Sequence, residues 1–252
     1  MISEKRHEMI LSELRNKEFL TLQELVDHTG SSASTVRRDL SKLQQMGKLS
    51  RVHGGAALNQ SVVTEAKLAD KRTRNLQEKQ EIARQAAEYV EDHDCIFLDA
   101  GSTTLEMIPF IKANHVTVVT NGLTHVEELL KYGFKTLTLG GEVKATTLAT
   151  VGVNALETLK KYRFDKAFIG INGLDLHHGL TTPDEQEALI KAYAIDFSFH
   201  TYVLADHTKY DKVYFATVPI TSSVSVLVSE QITALDGFQS YAQQYHLIGG
   251  LT

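Results

Sequence analysis

The chain has 252 residues, enough for one large domain or two unequal ones. Its 42% hydrophobic and 23% charged content is that of a globular chain with a sizeable core, which excludes extended disorder and fibrous repeats. No apolar run approaches the ~18 residues of a membrane span, and the net charge of −5 argues, taken alone, against a nucleic-acid binder.

The single Cys95 allows neither an internal disulfide nor a cysteine-rich metal framework, which fits a reducing cytoplasm. The opening MISEKRHEMI puts charge where a signal peptide needs an apolar stretch, so no export signal is expected. The average charge hides an asymmetry. Residues 1–57 hold nine Lys/Arg against seven Asp/Glu, while the other 195 residues sum to −7. In this basic segment Arg6, Ile10 and Leu14 recur at i, i+4, i+8 and mark one face of a first helix. Thr21 followed by Glu24 is a capping-box pattern, with Leu22, Leu25 and Val26 as the inward face and Gly30 as the stop. Ser31 or Ser32 caps a third helix whose inward side is Val36, Leu40 and Leu43, ended by Gly47. Lys48 to Leu58 alternates weakly around Gly54-Gly55, a hairpin signal. Three helices and a ribbon predict a winged helix-turn-helix over 1–57.

Residues 58–75 are polar and without clear periodicity, which predicts a linker with some helical content. Over 76–252 the pattern changes. Cys95–Leu98, Val116–Thr120, Thr136–Leu139, Ala167–Ile171, Tyr202–Ala205 and Val224–Val228 read as buried strands. Helical stretches at 78–91, 104–113, 123–132, 153–162 and 184–198 precede or separate the earlier ones. That order predicts a larger Rossmann-like α/β domain, a mostly parallel sheet with helices on both faces. There is no internal repeat and no low-complexity tract.

The third helix turns Ser34, Thr35, Arg37, Arg38 and Lys42 away from Val36, Leu40 and Leu43. Arg37 suits a fork onto guanine O6/N7, Arg38 and Lys42 suit phosphates, and the small hydroxyls tolerate close approach to a groove. Arg51 is placed for a wing tip that touches phosphate or the minor groove. The alternative is a solvated helix in an ordinary three-helix domain. Arg6-x3-Ile10-x3-Leu14, Ser32-x2-Thr35-Val36-Arg37-Arg38-Asp39-Leu40 and Arg51-Val52-His53-Gly54-Gly55-Ala56 together resemble the helix-turn-helix and wing of the DeoR family of bacterial transcription regulators. Asp39 would then hold a structural role, orienting a neighbouring Arg. The stretches Cys95–Thr104, Tyr162–Lys166 and Gly179–Asp184 extend the likeness to that family's fructose-operon repressors.

In the larger half, Asp99-Ala100-Gly101-Ser102-Thr103-Thr104 follows a strand and precedes a helix. Small residues admit an anion close to the backbone, and hydroxyls and free N–H groups bind it. The same residues also serve merely to turn and cap. Thr120-Asn121-Gly122, Gly140-Gly141-Glu142 and Gly170-Ile171-Asn172-Gly173 also end predicted strands, the edge where α/β sheets bind ligands. A small polar ligand is the better reading. Gly101, Ser102, Thr103 and Thr104 would cradle a phosphate, with Lys191 and Lys209 supplying charge. Asp99, Asn121, Asp184 and Glu185 would meet sugar hydroxyls, with Gly122, Gly141, Asn172 and Asp206 on neighbouring loops. Glu187 and Lys191, at i, i+4, also read as a plain helix-surface pair. The histidines show no metal spacing and read as surface or turn residues, Cys95 reads as core, and neither metal nor cofactor is expected.

This half resembles the DeoR effector domain, similar in fold to ribose-5-phosphate isomerase and glucosamine-6-phosphate deaminase. An isomerase would draw its carboxylates from Asp99, Asp184 and Glu185, yet no motif demands catalysis and an enzyme has no use for a helix-turn-helix. The expectation is therefore binding without turnover. The resemblance implies a cytoplasmic repressor of a sugar-uptake operon that binds double-stranded operator DNA as a dimer or tetramer. The inducer it implies is fructose 1-phosphate, with another ester such as tagatose 6-phosphate as the alternative.

Overall fold

The computed structural model describes residues 3–16, 19–46, 48–52, 55–58, 65–234 and 237–249, in two compact units, Met1–Ser61 and Val62–Thr252. The first unit contains α1 (Ser3–Asn16), β1 (Phe19–Thr21), α2 (Leu22–Thr29), α3 (Ala33–Gln45), β2 (Leu49–Val52) and β3 (Gly55–Leu58). Ile10, Leu14, Leu25, Val36, Leu40 and Leu43 meet in one buried cluster, so the helical spacing becomes a three-helix core.

Both hydrogen bonds of the expected capping box form. The Thr21 hydroxyl accepts from the Glu24 N–H, and the Glu24 carboxylate accepts from the Thr21 N–H. Gly30 ends α2 at φ 58°, a left-handed conformation that glycine adopts without a Cβ clash. Ser32, rather than Ser31, caps α3. Helix α3 stops at Gln45 with Met46 as its cap, and Gly47 lies outside the described residues. The wing has three strands in the order β1-β3-β2, with Leu20 opposite Ala56. Sequence reading missed β1 because three residues are too short to show an alternation.

The second unit runs α4 (Leu68–Thr73), α5 (Leu76–Ala87), β4 (Cys95–Leu98), α6 (Ser102–Met107), β5 (Thr117–Thr120), α7 (Leu123–Lys131), β6 (Lys135–Thr138), β7 (Glu142–Val143), β8 (Thr150–Val151) and α8 (Val153–Leu159). It continues through β9 (Phe164–Gly170), β10 (Gly173–Asp175), β11 (Gly179–Thr182), α9 (Glu185–Asp196), β12 (Ser198–Leu204), β13 (Ala216–Thr217), β14 (Val224–Leu227), α10 (Phe238–Gln244) and β15 (His246–Ile248). Seven strands form one parallel sheet in the order β15-β14-β12-β9-β4-β5-β6. All six expected strands lie in it. The seventh, β15, and the antiparallel β10-β11-β13 sheet were not anticipated.

Each central strand feeds two cores, as a pleat buried on both faces requires. Phe97, Val119, Ala167, Ile169, Val203 and Val226 pack on one side with residues of α8, α9 and α10. Ile96, Leu98, Val118, Phe168, Leu204 and Leu227 pack on the other with residues of α5 to α7. The chain fills the sheet from β4 outward through β5 and β6, then returns to the other side of β4 with β9. The order reverses between β4 and β9, so the loops after these two strands part and leave a crevice.

The stretch expected to be a linker is partly structured within this unit. Leu68 is buried and its N–H donates to the Thr146 carbonyl at 2.9 Å, and α4 follows. Its polar composition concealed this because most of its anchors are ionic. No helix among the described residues is long and apolar enough to cross a membrane.

A fragment of residues 62–252 is therefore expected to melt in one cooperative transition. A fragment of 76–252, without Leu68, should be weaker by at least the roughly 1.5–3 kcal/mol of one buried leucine. Calorimetric scans of the two decide it, and equal melting temperatures would mean that residues 62–75 add nothing to the unit.

Candidate functional site

The outer face of α3 exposes Ser34, Arg37, Arg38 and Lys42, while Thr35 is half-buried with its hydroxyl 2.9 Å from that of Ser32. What holds this face outward is Asp39, buried on the opposite side. Arg6 donates to both of its oxygens, Nε at 2.5 Å and Nη2 at 3.1 Å, and His7 Nε2 lies 3.0 Å away. Burial opposes the Asp39 charge, but Arg6 and His7 outweigh it and hold the carboxyl below its usual range. The neighbouring arginine proves to be distant in sequence, so Asp39 clamps α3 to α1. Arg51 lies on β2, but its side chain, His53 and Gly54 are outside the described residues.

In the second unit a cavity of about 50 Å³ occupies the crevice between the ends of β4 and β9. The expected residues lining it are Gly101, Ser102, Thr103, Asn172, Lys191 and Lys209. Sequence reading missed Glu65, Lys71, Thr147 and Glu187, which also line it. Glu65 and Lys71 come from the supposed linker, and Thr147 from a loop that no period marks.

The Glu187–Lys191 spacing is not a surface pair, for both side chains are buried. Lys191 donates to Asp99 Oδ2 at 2.5 Å, and the same oxygen accepts from the Gly170 N–H at 3.0 Å. Burial works against its charge, yet the Asp99 and Glu187 carboxylates hold the Lys191 ammonium above its ordinary value. Glu187 accepts from Lys144 at 2.9 Å and from the Thr147 hydroxyl at 2.7 Å. Lys71 pairs with Glu65 at 2.9 Å, and Lys209 lies 3.5 Å from Asp206. Lys79, with its ammonium on the Lys71 carbonyl, is drawn down to about 8 by burial and by Lys209. Positive charge converges here, already answered by internal carboxylates.

Several expected residues do other work. Thr104 is fully buried, its hydroxyl 2.6 Å from the Asp99 carbonyl and 3.0 Å from His125 Nε2. Asn121 accepts from the Ala100 N–H at 2.7 Å and so shapes the loop from behind. Asp184 caps α9 through the Gln186 and Glu187 N–H groups, and Glu185 is exposed. Gly122 and Gly141 are absent from the lining, as is Asp206, which caps a short turn through Thr208.

One histidine departs from the surface reading. His125 is fully buried, and burial pushes its pKa down to about 3, so the ring is neutral. It fits because Gly122 carries no side chain: a Cβ there would lie 2.4 Å from His125 Nδ1. Cys95, expected in the core, is half-buried at the start of β4. Glu78, Asp206 and His207 place ligand atoms within 4.8 Å of one another, but His207 Nδ1 is 2.7 Å from Glu78 and Lys209 stands beside Asp206, so the group is neutralised from within.

Residues 6–62 match the DeoR-like helix-turn-helix domain and residues 74–231 the DeoR C-terminal sensor domain. The chain is 40% identical over 242 residues to the uncharacterized HTH-type transcriptional regulator FruR of Bacillus subtilis (strain 168), covering 95% of this chain and 96% of that one. It is 31% identical over 245 residues to the glycerol-3-phosphate regulon repressor of Escherichia coli (strain K12), covering 90% and 96%. Among solved structures, ribose 5-phosphate isomerase from Plasmodium falciparum aligns at 18% identity with a TM-score of 0.39. The alignment covers 52% of each chain, so this one spans about half of that enzyme's length.

Breaking the Asp99–Lys191 pair from either side leaves a buried charge alone. Asp99→Asn and Lys191→Met are each expected to lower unfolding stability by about 3–5 kcal/mol, against roughly 0.5 kcal/mol or less for the exposed Glu185→Gln. Urea unfolding measures all three, and similar midpoints would show that the pair carries no structural weight.

Proposed function

Because the chain belongs to the DeoR family of transcription regulators, we propose that it is a repressor that leaves its operator when a sugar phosphate binds, with fructose 1-phosphate the first candidate. The observation that carries this reading is the cavity: small residues of a strand–helix loop face buried and half-buried lysines at the reversal point of a parallel sheet. The phosphoryl group would sit against Gly101, Ser102 and Thr103 with Lys71 and Lys209 as counter-charges. Thr147 and Asn172 would face the sugar. In this arrangement Lys191 and Asp99 hold the loop rather than touch the sugar. The names of the two relatives favour a phosphorylated inducer in general and fructose metabolism in particular.

Arg37 would read base edges and Arg38 and Lys42 would contact phosphates. A winged helix on an operator with two half-sites needs two copies, hence a dimer or tetramer. Asp99, the carboxylate best placed to serve an isomerase as base, is committed to Lys191 and to Gly170, which favours binding without turnover. The cavity volume of about 50 Å³ is far below the several hundred Å³ of a typical ligand site. Entry therefore requires the lining to open. That suits an effector, which shifts an equilibrium only by binding one conformation better than another.

Binding of labelled operator DNA tests the reading. Fructose 1-phosphate should release the DNA, whereas fructose should not. Arg37→Ala should relax sequence preference, and Arg38→Ala should weaken all sequences alike and reduce the salt slope by about one. Thr103→Val should keep DNA binding but lower affinity for the ester about ten- to a hundredfold in calorimetry, through loss of a charge-assisted hydrogen bond. Equal responses to sugar and ester, or arginine variants that bind like the parent, would defeat the corresponding half of the reading.

A further inference from the structure

The cavity is filled from one side by a carboxylate that belongs to the chain leading out of the first unit. Glu65 lies four residues beyond Ser61, where that unit ends. Its side chain is buried and stands 2.9 Å from Lys71 Nζ and 3.0 Å from Lys144 Nζ. Burial works against the charge, but the two ammonium groups hold this carboxyl below its ordinary range. Glu65 is therefore ionised.

The two lysines differ in what else they have. Lys144 also contacts Glu187 at 2.9 Å and Asp184 at 3.1 Å, so it stays neutralised if Glu65 leaves. Among the described residues, Glu65 is the only carboxylate in ion-pair contact with Lys71. Burial lowers the Lys71 pKa more than Glu65 restores it, which marks a cation that needs an anion beside it. Besides this ion pair, the segment is held by the buried Leu68, its N–H on the Thr146 carbonyl, the Lys71 carbonyl under the Lys79 ammonium, and the packing of α4 against α6.

We infer that Glu65 is the cavity's resident anion: it occupies on Lys71 the place of an incoming phosphoryl group, and a phosphate ester that enters evicts it and frees the 65–73 segment. The inference rests on the sensor reading above and adds its regulation. Two anions cannot share so small a space beside the Lys71 ammonium, so ester and Glu65 exclude each other there. Once evicted, Glu65 goes to water with its own charge solvated, and the chain beyond Ser61 loses its ionic anchor. Occupation of the cavity is thereby converted into slack in the only covalent path to the DNA-reading helix. The eviction also weakens the ester, because the competent state must first be reached.

The test compares full-length protein with Glu65→Gln, which keeps the shape and removes the charge. Calorimetry with fructose 1-phosphate, and separately with inorganic phosphate, should give the variant roughly tenfold higher affinity or more if the evicted state is a tenth or less of the parent population. Operator release should then need correspondingly less ester. Independently of the variant's folding, trypsin cleavage of the parent at Lys67, Lys71, Arg72 and Arg74, mapped by mass spectrometry, should accelerate when the ester is added. Equal or weaker ester binding by a folded variant, or unchanged or slower cleavage in the parent at saturating ester, would overturn the inference and leave the sensor reading standing. Failure of the parent and the variant alike to bind any of these anions would overturn the sensor reading itself.

Discussion

A lysine ammonium set against a carboxylate at the junction of β4, β9 and α9 organises the larger unit. Asp99 directly follows β4, accepts from the Gly170 N–H at the end of β9, and receives Lys191 from α9. One carboxylate thus fixes both lips of the crevice and the helix behind it. Its burial makes the arrangement all-or-none, because a charge taken out of water is tolerated only while its partner stays. The loop from Ala100 to Thr103 inherits its position from this contact, and Asn121 and Thr104 secure it from the sides. The cavity is a by-product of where the sheet reverses, and the ion pair keeps it from collapsing into apolar packing.

The smaller unit solves a similar problem with the same device. Among the described residues its core is nine buried apolar side chains, and Arg6 with His7 on Asp39 adds a directional tie between α1 and α3. Apolar contacts alone set the distance between two helices more firmly than their rotation. A forked guanidinium on a carboxylate sets the rotation. With Asp39 drawn inward, Arg37, Arg38 and Lys42 have one direction left to them. The basic face is a consequence of a buried acid.

Much of this was legible in the sequence, and the parts that were not share a cause. The Ile10/Leu14 and Val36/Leu40/Leu43 spacings, the Thr21–Glu24 box and the six apolar runs all became the elements they implied, because each is a local pattern with one burial solution. What escaped were interactions with no period. Strands β1 and β15 are three residues each, too short to alternate and held by neighbours already in place. Glu65 and Lys71 sat in a polar stretch whose composition says linker, while Lys144, which bonds Glu65 and through itself Glu187, lies far along the chain. His125 was misplaced because its burial depends on the missing side chain of Gly122. Among the expected ligand residues, Gly101 to Thr103, Asn172, Lys191 and Lys209 reached the lining. Asp184 and Asn121, with the same chemical credentials, were consumed by capping and loop support. Polar residues at strand ends announce a busy place but not which of them faces inward.

The neutral residues between the charges carry a different implication. Thr147, Ile171, Asn172 and Leu204 line the cavity beside ionic groups that are locked to one another. Exchanging a locked group strands its partner, so drift in those positions is penalised through folding whatever the ligand. Exchanging a neutral one alters shape and hydrogen bonding at the cost of an ordinary core substitution. With the proposed sugar phosphate as ligand, a lineage descending from this chain would explore new sugars through these four sites first, and the anionic end would be the part of recognition it finds hardest to abandon.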